Sequence, residues 1–343
     1  MRVSTFVGPL ALACLALGAG CGQNDTSGGG SAATTVDRVT IGSNPSGTNV
    51  YAVAAGFAKV LQEQAGLRAT IRPFSGSSVY LPMLQRGDIS LGLNTSIDSY
   101  LSYHGLPPYT DRMDNLRALA VMFHLPIMYM TPANSGIERV EDLRGKRVVV
   151  TFRANAALRQ LHHAILATGG LEPTDVEALT VAGVPEATQA LTEGRADAIP
   201  IGLGTALGLQ VHSTIPGGIR FITMGRDAAK LTEGMPGSRV ATVTPTATTV
   251  GVTEPIEVAD TLDYLNASTH MPDDLAYTIV KTLHDNLDAL KRDYPQMRSM
   301  TVEDLAPADN FHPYHPGAVR YFREAGLWTE AHESNQQKLL GMP

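Results

Sequence analysis

The sequence predicts an α/β protein in which a mostly parallel, doubly wound sheet is flanked by helices. Short β-branched runs alternate with segments of helical apolar spacing, which is the pattern of strand–helix–strand units. Many of the 33 glycines lie where a strand or a helix ends, as tight connections require. Hydrophobic residues make up 43% of the 343-residue chain, which is enough for a large core, and the length predicts about two domains.

The first set of elements covers residues 39–103. Residues 39–41 predict a strand, and apolar positions at helical spacing over 50–61 predict a helix that ends at Gly66. The set continues with a strand over 69–72, a helix that ends at Arg86, a strand over 89–93 and a helix through Tyr103. The long apolar segment 116–130 is expected to cross from this set to the second.

A second set of elements covers residues 147–201 in the same order. It comprises strands over 147–151, 177–181 and 198–201, a helix closed by Gly169 and Gly170, and a helix over 185–191. In both sets a helix ends at Gly and an Asp precedes a strand, at 84–89 and 191–198, which indicates two related lobes. A Gly–Asp link is also a common connection between a helix and a strand. The remaining predicted elements are a strand within 240–258 that returns between the lobes, and helices over 275–290 and 316–325.

The N-terminal segment is typical of a cleaved secretion signal. Arg2 is the first charged residue, an apolar run covers 6–17, and small residues precede Cys21. The run is shorter than the ~20 residues that span a bilayer. Residues 1–20 therefore predict a signal peptide, Cys21 a lipid anchor, and residues 21–36 a flexible linker that holds an extracytoplasmic body at a bacterial membrane. An ordinary secretion signal with an incidental cysteine is the alternative.

Composition and motifs argue against several classes of function. The formal charge of −7 argues against a nucleic-acid-binding protein, which usually carries a basic face. Cys14 and Cys21 both lie near the N-terminus, so no cysteine metal site or disulfide is expected in the body. Gly-x-Ser-x-Gly, His-Glu-x-x-His and Gly-Lys-Ser/Thr motifs are absent from the sequence, and His162 and His163 point apart on a helix. We therefore predict a protein that is not an enzyme, with no catalytic residue, no metal and no cofactor.

Loops at the carboxyl ends of the predicted strands are rich in Ser, Asn, Thr and Gly. In open α/β sheets such loops bind ligands, and hydroxyls, amides and backbone N–H groups at helix N-termini can hold an anion without a metal. Arg153 adds a positive charge that can bind a carboxylate bidentately. The predicted solute contacts are Ser43, Ser46, Tyr51, Ser75, Ser78 and Asn94 from the first set, and Arg153, Asn155 and Gly204 from the second. Helix capping, a surface position for Arg153 and a core position for Tyr51 are the alternatives.

Several motifs resemble those of one transporter family. The loops at 41–47 and 75–78, the segments 142–148 and 194–198 and, most specifically, the motif over 315–326 are similar to the solute-binding subunits of tripartite ATP-independent periplasmic (TRAP) transporters of the TAXI type. The resemblance covers nearly all of the chain after the linker. It implies a two-lobed periplasmic-binding-protein fold of type II topology. Lobe 1 is then expected to comprise residues 37–122 and 262–343, and lobe 2 residues 123–261.

The resemblance also implies a function. A small solute, in this family a carboxylate such as glutamate or 2-oxoglutarate, is captured between the lobes and delivered to TRAP-type permease subunits driven by an ion gradient. Where the family usually has Gly-Ser-Gly-Thr, this chain has Asn155 followed by Ala156, Ala157 and Leu158. The change removes a hydroxyl and two flexible backbone positions, so the solute need not be the family's usual diacid. His315 is expected to order a helix end rather than to contact solute.

Three other functions are compatible with the same residues. A sensory surface lipoprotein would present the solute to a receptor instead of a permease. An enzyme on the same fold would turn the solute over, although spacing reveals no pair of base and nucleophile. A structural lipoprotein with a collapsed cleft would bind no solute at all.

Overall fold

The computed structural model describes residues 38–342. The strands are β1 (Arg38–Ser43), β2 (Arg68–Pro73), β3 (Leu91–Thr95), β4 (Leu116–Pro132), β5 (Arg147–Phe152), β6 (Glu177–Val181), β7 (Ile199–Gly202), β8 (Ile219–Phe221), β9 (Ser238–Val243) and β10 (Ile256–Ser268). The α-helices are α1 (Asn49–Ala65), α2 (Ser77–Gln85), α3 (Ser96–His104), α4 (Leu158–Thr168), α5 (Val184–Thr192), α6 (Ala206–Thr214), α7 (Lys230–Gly234), α8 (Asp273–Asp285), α9 (Leu287–Asp293), α10 (Pro316–Glu324) and α11 (Glu330–Leu340). Strand and helix alternate from β1 to β4 and from β5 to β7, as the sequence predicts.

The strands follow the same order in the two halves of the fold, although β5 and β6 form a separate two-stranded sheet. In the first half, β1 pairs in parallel with β2 and β3, while β10 lies antiparallel to β3 and β4 antiparallel to β10. The resulting order is β2-β1-β3-β10-β4. In the second half, β5 pairs in parallel with β6, a parallel bridge between Val148 and Ala198 links β5 to the start of β7, and β7 lies antiparallel to β4. The order β6-β5-β7-β4 therefore repeats the pattern of the first half.

β4 and β10 pass through both halves. They pair antiparallel from the Leu116–Ser268 pair to the Ile127–Ala259 pair, with register shifts after Asp263 and after Leu265. The first half holds β1 to β3 and the second holds β5 to β7, so the two-lobed α/β architecture predicted from the sequence is confirmed. The predicted lobe boundaries fall within these two strands and stay a prediction.

Helix α1 forms as its apolar spacing predicts. Val50, Val53, Phe57 and Leu61 recur on one face, and all four are buried in the core. Burial of this face stabilises the fold by about 25 cal/mol for each Å² of apolar surface that is removed from water. Gly66 closes the helix with a left-handed backbone of φ 65°, which glycine adopts without the strain that a Cβ causes. The predicted end of the helix is therefore confirmed.

Two predicted elements differ from the structure. Residues 240–258 do not form one strand; they form most of β9, a turn and the start of β10, and β10 is the strand that runs between the halves. The turn forms because Thr side chains satisfy its backbone, with the N–H of Thr246 donating to the Thr249 hydroxyl over 2.8 Å. The helix predicted over 275–290 is interrupted at Asn286, whose side-chain amide donates to a backbone carbonyl one turn earlier over 2.8 Å. Such local bonds compete with continued secondary structure.

The C-terminal helices pack on the first half of the fold. α8 packs on α1, and α10 lies so close to α8 that a Cβ on Gly317 would be 2.1 Å from the carbonyl oxygen of Asp273. His315 caps α10, because its Nδ1 accepts the N–H of Gly317 over 3.2 Å, while its Nε2 lies 3.1 Å from the Met271 carbonyl oxygen. The predicted structural role of His315 is confirmed. Among the described helices, none has the length and apolar character needed to cross a membrane.

Candidate functional site

A cavity of about 60 Å³ lies where carboxyl ends of strands from the two halves face each other. Its walls come from the segments after β1, β3, β5 and β7, from the starts of the helices that follow them, and from β4 and β10. Its polar lining includes Asn44, Asn49, Ser77, Asn94, Asp98 and Asp263 from the first half, and Asn155, His162 and Thr205 from the second. A molecule held there would contact both halves.

One contact across the cleft, the α2–α4 contact, joins Ser77 and Ser78 to Ala154, Asn155 and Ala156. The backbone N–H of Ser78 donates to the carbonyl oxygen of Ala154 over 3.1 Å. The Ser78 hydroxyl accepts the N–H of Ala156 over 3.0 Å, and the Asn155 amide donates to the Ser77 hydroxyl over 3.1 Å. The start of α2 is thereby fixed to the segment that precedes α4.

A second contact across the cleft, the α1–α6 contact, joins the start of α1 to the start of α6. The Asn49 amide donates to the carbonyl oxygen of Leu203 over 2.9 Å. The backbone N–H of Leu207 donates to the carbonyl oxygen of Gly47 over 3.3 Å. Together with the α2–α4 contact, these bonds close the cavity on two sides.

Two buried carboxylates line the cavity from the first half. Asp98, in the first turn of α3, accepts hydrogen bonds from the hydroxyls of Tyr109 over 2.8 Å and Thr95 over 3.0 Å. Asp263, on β10 opposite Thr95, is 0% exposed, and neither of its carboxylate oxygens has a hydrogen-bond partner within residues 38–342. Burial raises the pKa of both carboxyls, and the charge of Asp98 raises the pKa of Asp263 further. This end of the cavity therefore favours a proton or a cation.

The second half of the fold contributes apolar side chains and one histidine to the cavity wall. Phe152, Leu158 and Ile201 line it, and the ring of His162 lies edge-on to Phe152 with the centroids 5.3 Å apart. Nδ1 of His162 lies 3.0 Å from the Val150 carbonyl oxygen, which can only accept, so Nδ1 carries the hydrogen. Nε2 is then an acceptor, and it has no partner within the described chain. Burial lowers the pKa of His162 to about 4, so the ring is neutral at pH 7.

Asn94 belongs to a buried polar network beside the acidic end. Its amide donates to the Ser99 hydroxyl over 2.8 Å, and its Oδ1 accepts from the amide of Asn266 over 2.9 Å. Asn266 Oδ1 in turn lies 2.7 Å from Nε2 of His312, whose pKa burial lowers to about 3. The network fixes the orientation of Asn94 and commits its amide N–H to a protein acceptor.

The structure places the sequence-predicted residues in different surroundings. Asn94 and Asn155 line the cavity, and Ser78 takes part in the α2–α4 contact. Ser43 is buried and Tyr51 half-buried, both outside the cavity lining. The exposed members of the set, also outside that lining, are Ser46, Ser75, Arg153 and Gly204. Solute contact by any of these residues stays a prediction.

Gly204 lines a second, wider depression of about 530 Å³. Three of its lining residues, Arg239, Asp260 and His124, contact each other. Arg239 Nε donates to Asp260 Oδ2 over 2.8 Å, and Nδ1 of His124 lies 3.0 Å from the same oxygen. Asp260 is thus neutralised by a basic neighbour, whereas Asp263 in the smaller cavity is not.

Sequence reasoning missed the three titratable side chains that line the cavity: Asp98, Asp263 and His162. Asp98 follows Thr95 by three residues, the spacing of an ordinary helix-capping acid, so its position carried no signal of a site. Asp263 was detectable as an acid inside the apolar strand Ile256–Ser268, where a charge is rarely buried without a partner. Within residues 38–342, no group of three or more His, Cys, Asp or Glu residues could hold a metal ion.

Comparison with known proteins gives a family and a fold. A model of the NMT1-like family matches residues 41–326. Among solved structures, the periplasmic binding protein BugD is similar at 11% identity and a TM-score of 0.56, over 88% of this chain and 98% of that one. A periplasmic transporter is similar at 12% identity and a TM-score of 0.55, over 89% of this chain and 96% of that one. At these identities the similarity establishes the fold alone, which is the periplasmic-binding-protein fold expected from the sequence.

Proposed function

Because the chain belongs to the NMT1-like family, we propose that it is an extracytoplasmic solute-binding protein that encloses a small solute and passes it to a membrane transporter. The observation that carries the proposal is the cavity of about 60 Å³ between the two halves. It lies at the carboxyl ends of parallel strands, where open α/β sheets bind ligands. The solute would leave chemically unchanged, since binding and release are the only steps proposed.

The cross-cleft contacts support a cycle of opening and closing. The α2–α4 and α1–α6 contacts include hydrogen bonds that each contribute about 0.5–1.5 kcal/mol. The free energy of solute binding can therefore shift the equilibrium between the open and closed forms. β4 and β10 connect the halves and are the natural hinge. We therefore propose that lobe 1, residues 37–122 and 262–343, and lobe 2, residues 123–261, separate to admit solute and close around it.

The resemblance to TAXI-type subunits supports finer proposals. The receiving transporter would be a TRAP-type permease, and a lipid on Cys21 with the linker 21–36 would hold the protein at a bacterial membrane. Cys21 and the linker lie outside the described residues. Carboxylates such as glutamate or 2-oxoglutarate are the solutes that the resemblance favours, with Arg153 as their predicted partner.

Mass spectrometry of the solute released by denaturing the purified protein tests the proposed function. We expect one small molecule in near-stoichiometric amount. A thermal-shift panel of small carboxylates, sulfonates and amines should then give a higher Tm with one class, since a solute at 100 times its Kd stabilises the folded state by about 2.7 kcal/mol. An empty released fraction, together with no shift from any class, would show that the proposed function is wrong.

Two nearby substitutions locate the site. Asn155→Ala removes a side chain that lines the cavity, whereas Arg153→Ala removes an exposed side chain two residues earlier. If solute lies in the cavity, calorimetric titration should show weaker binding by the Asn155 variant and unchanged binding by the Arg153 variant. The reverse result would place the solute at Arg153, as the sequence-based prediction has it.

A further inference from the structure

We propose that the cavity binds a small organic cation, a protonated amine on a short apolar body, with its ammonium group beside Asp263 and Asp98. The inference rests on the proposed function and names the solute class of the same site. It departs from the anionic solute predicted from the loop composition. The reason is that the side chains lining the cavity differ from those that the loops suggested, and Arg153 is not among them.

The unpartnered buried polar atoms that line the cavity, among the described residues, are all hydrogen-bond acceptors. They are both carboxylate oxygens of Asp263, Nε2 of His162 and Oδ1 of Asn44. Buried polar atoms in folded proteins nearly always have a partner, and each exception calls for an explanation. A solute that donates hydrogens supplies the missing partners. An ammonium group donates three and accepts none.

Several donors of the cavity wall are already in use. The side-chain amides of Asn49, Asn94 and Asn155 donate to protein oxygens at distances of 2.9, 2.8 and 3.1 Å. The hydroxyls of Thr48 and Thr95 donate to protein oxygens at 2.7 and 3.0 Å. A carboxylate solute would have to compete with these bonds for hydrogens. The buried acceptors without a partner therefore favour a solute that donates hydrogen bonds.

The charge of the wall favours the same class of solute. Asp98 and Asp263 lie on it, and the described lining includes no Lys or Arg. In a site removed from water, two carboxylates attract a cation and repel an anion more strongly than they do at the surface. The next acid along β10, Asp260, is paired with Arg239 outside this cavity. The field inside the cavity is therefore set by Asp98 and Asp263.

The volume and the apolar side chains limit the body of the solute. A water-sized site takes roughly 10–15 Å³, so about 60 Å³ holds roughly four to six small groups. Phe152, Leu158 and Ile201, from the second half, offer the solute an apolar surface and no charge. An n-butylammonium ion has this size and this polarity. Its ammonium group would meet Asp263 while its alkyl chain lies toward Phe152.

A matched set of three probes tests the inference on purified protein freed of bound solute by unfolding and refolding. The probes are n-butylammonium, n-butyrate and n-butanol, which share a chain and differ in head group. We expect n-butylammonium alone to raise the Tm and to give a calorimetric binding signal. Asp263→Asn should weaken that binding by roughly 10- to 100-fold, the range of a charge-assisted hydrogen bond. Glu257→Gln removes an exposed charge from the same strand and should bind like the wild type.

The outcomes separate this inference from the proposed function. Binding of n-butyrate without n-butylammonium, equal binding by the Asp263→Asn variant, or a released solute with no protonated nitrogen overturns the cation proposal and leaves solute binding intact. An empty released fraction with no response from any class of solute overturns both. Asp98→Asn gives an independent check if the Asp263 variant fails to fold, because it removes the second carboxylate and should also weaken n-butylammonium binding.

Discussion

His162 makes the acid stability of this protein a quantitative test of the closed cavity. Its pKa in the folded protein is about 4, against about 6.5 in the unfolded chain, because burial disfavours the charged ring. As the pH falls through 6.5, the unfolded chain binds a proton that the folded protein does not, so folding stability decreases and continues to decrease down to about pH 4. The difference between the two pKa values corresponds to about 3.4 kcal/mol in total, of which about 2 kcal/mol is lost between pH 7 and pH 5.

Urea unfolding at pH 7 and pH 5 measures this loss. In the His162→Gln variant the side chain is neutral at both pH values, so the loss between them should be about 2 kcal/mol smaller than in the wild type. His163→Gln makes the same substitution at the next, half-exposed position and should keep most of the loss. A His162 variant that loses as much stability as the wild type would refute the reasoning, because His162 would then titrate like a solvated histidine.

Three further substitutions test other parts of the structure. Gly76→Ala puts a Cβ 2.2 Å from the Ala154 carbonyl oxygen, so it should break the α2–α4 contact. Small-angle scattering of the solute-bound variant should then give a larger radius of gyration than that of the wild type. An unchanged radius would contradict the closed geometry. The Arg147 guanidinium donates to Asp197 at 2.6 and 3.2 Å and lowers the pKa of that carboxyl. Urea unfolding at pH 7 should therefore show the wild type to be more stable than the Asp197→Asn variant. The difference should shrink as the pH falls through the lowered pKa. Phe57→Ala leaves a void in the core and should reduce the free energy of unfolding by about 3–5 kcal/mol in the same assay.

Elements whose boundaries are set locally could be predicted from the sequence. α1 has one apolar face and a glycine at its end, and α10 begins at Pro316, which fits the first turn of a helix and cannot continue a preceding one. The strand predicted over 177–181 has the bounds observed for β6. In each case the deciding interactions lie within a few residues of one another. Tertiary contacts therefore did not alter the boundaries of these elements.

Elements decided by side-chain bonds or by distant contacts could not be predicted. The Thr-rich segment after β9 has the β-branched composition of a strand, yet its hydroxyls bond their own backbone and form a turn. α11 escaped prediction because it is largely polar and buries only His332 and Leu339. Periodicity detects a helix by its apolar face, so a helix with almost no such face gives no signal.

The side chains of the site could likewise be predicted from the sequence only in part. The loop after β5 was predicted to contact solute, and Asn155 there does line the cavity. Arg153 does not, because β5 ends at Phe152 and Arg153 lies exposed in the bend that follows. Asp263 became part of the site only through the pairing of β10 with β3, which places it opposite Thr95. The pairing joins residues that are far apart in the sequence, so no local pattern predicts it.

The unpartnered carboxylate of Asp263 also couples closure of the two halves to solute binding. If the halves separate as proposed, water reaches Asp263 in the open protein, so closing without solute costs free energy, either to bury the charged carboxylate or to protonate it. A solute shifts the balance only by binding the closed form better, and an ammonium group beside Asp263 would offset that cost in the closed form alone. Asp263→Asn removes the charge at nearly constant shape, so the solute-free variant should be more compact than the solute-free wild type in small-angle scattering. Equal radii of gyration for the two would mean that closing does not desolvate Asp263, and the proposed link between its charge and closure would be wrong.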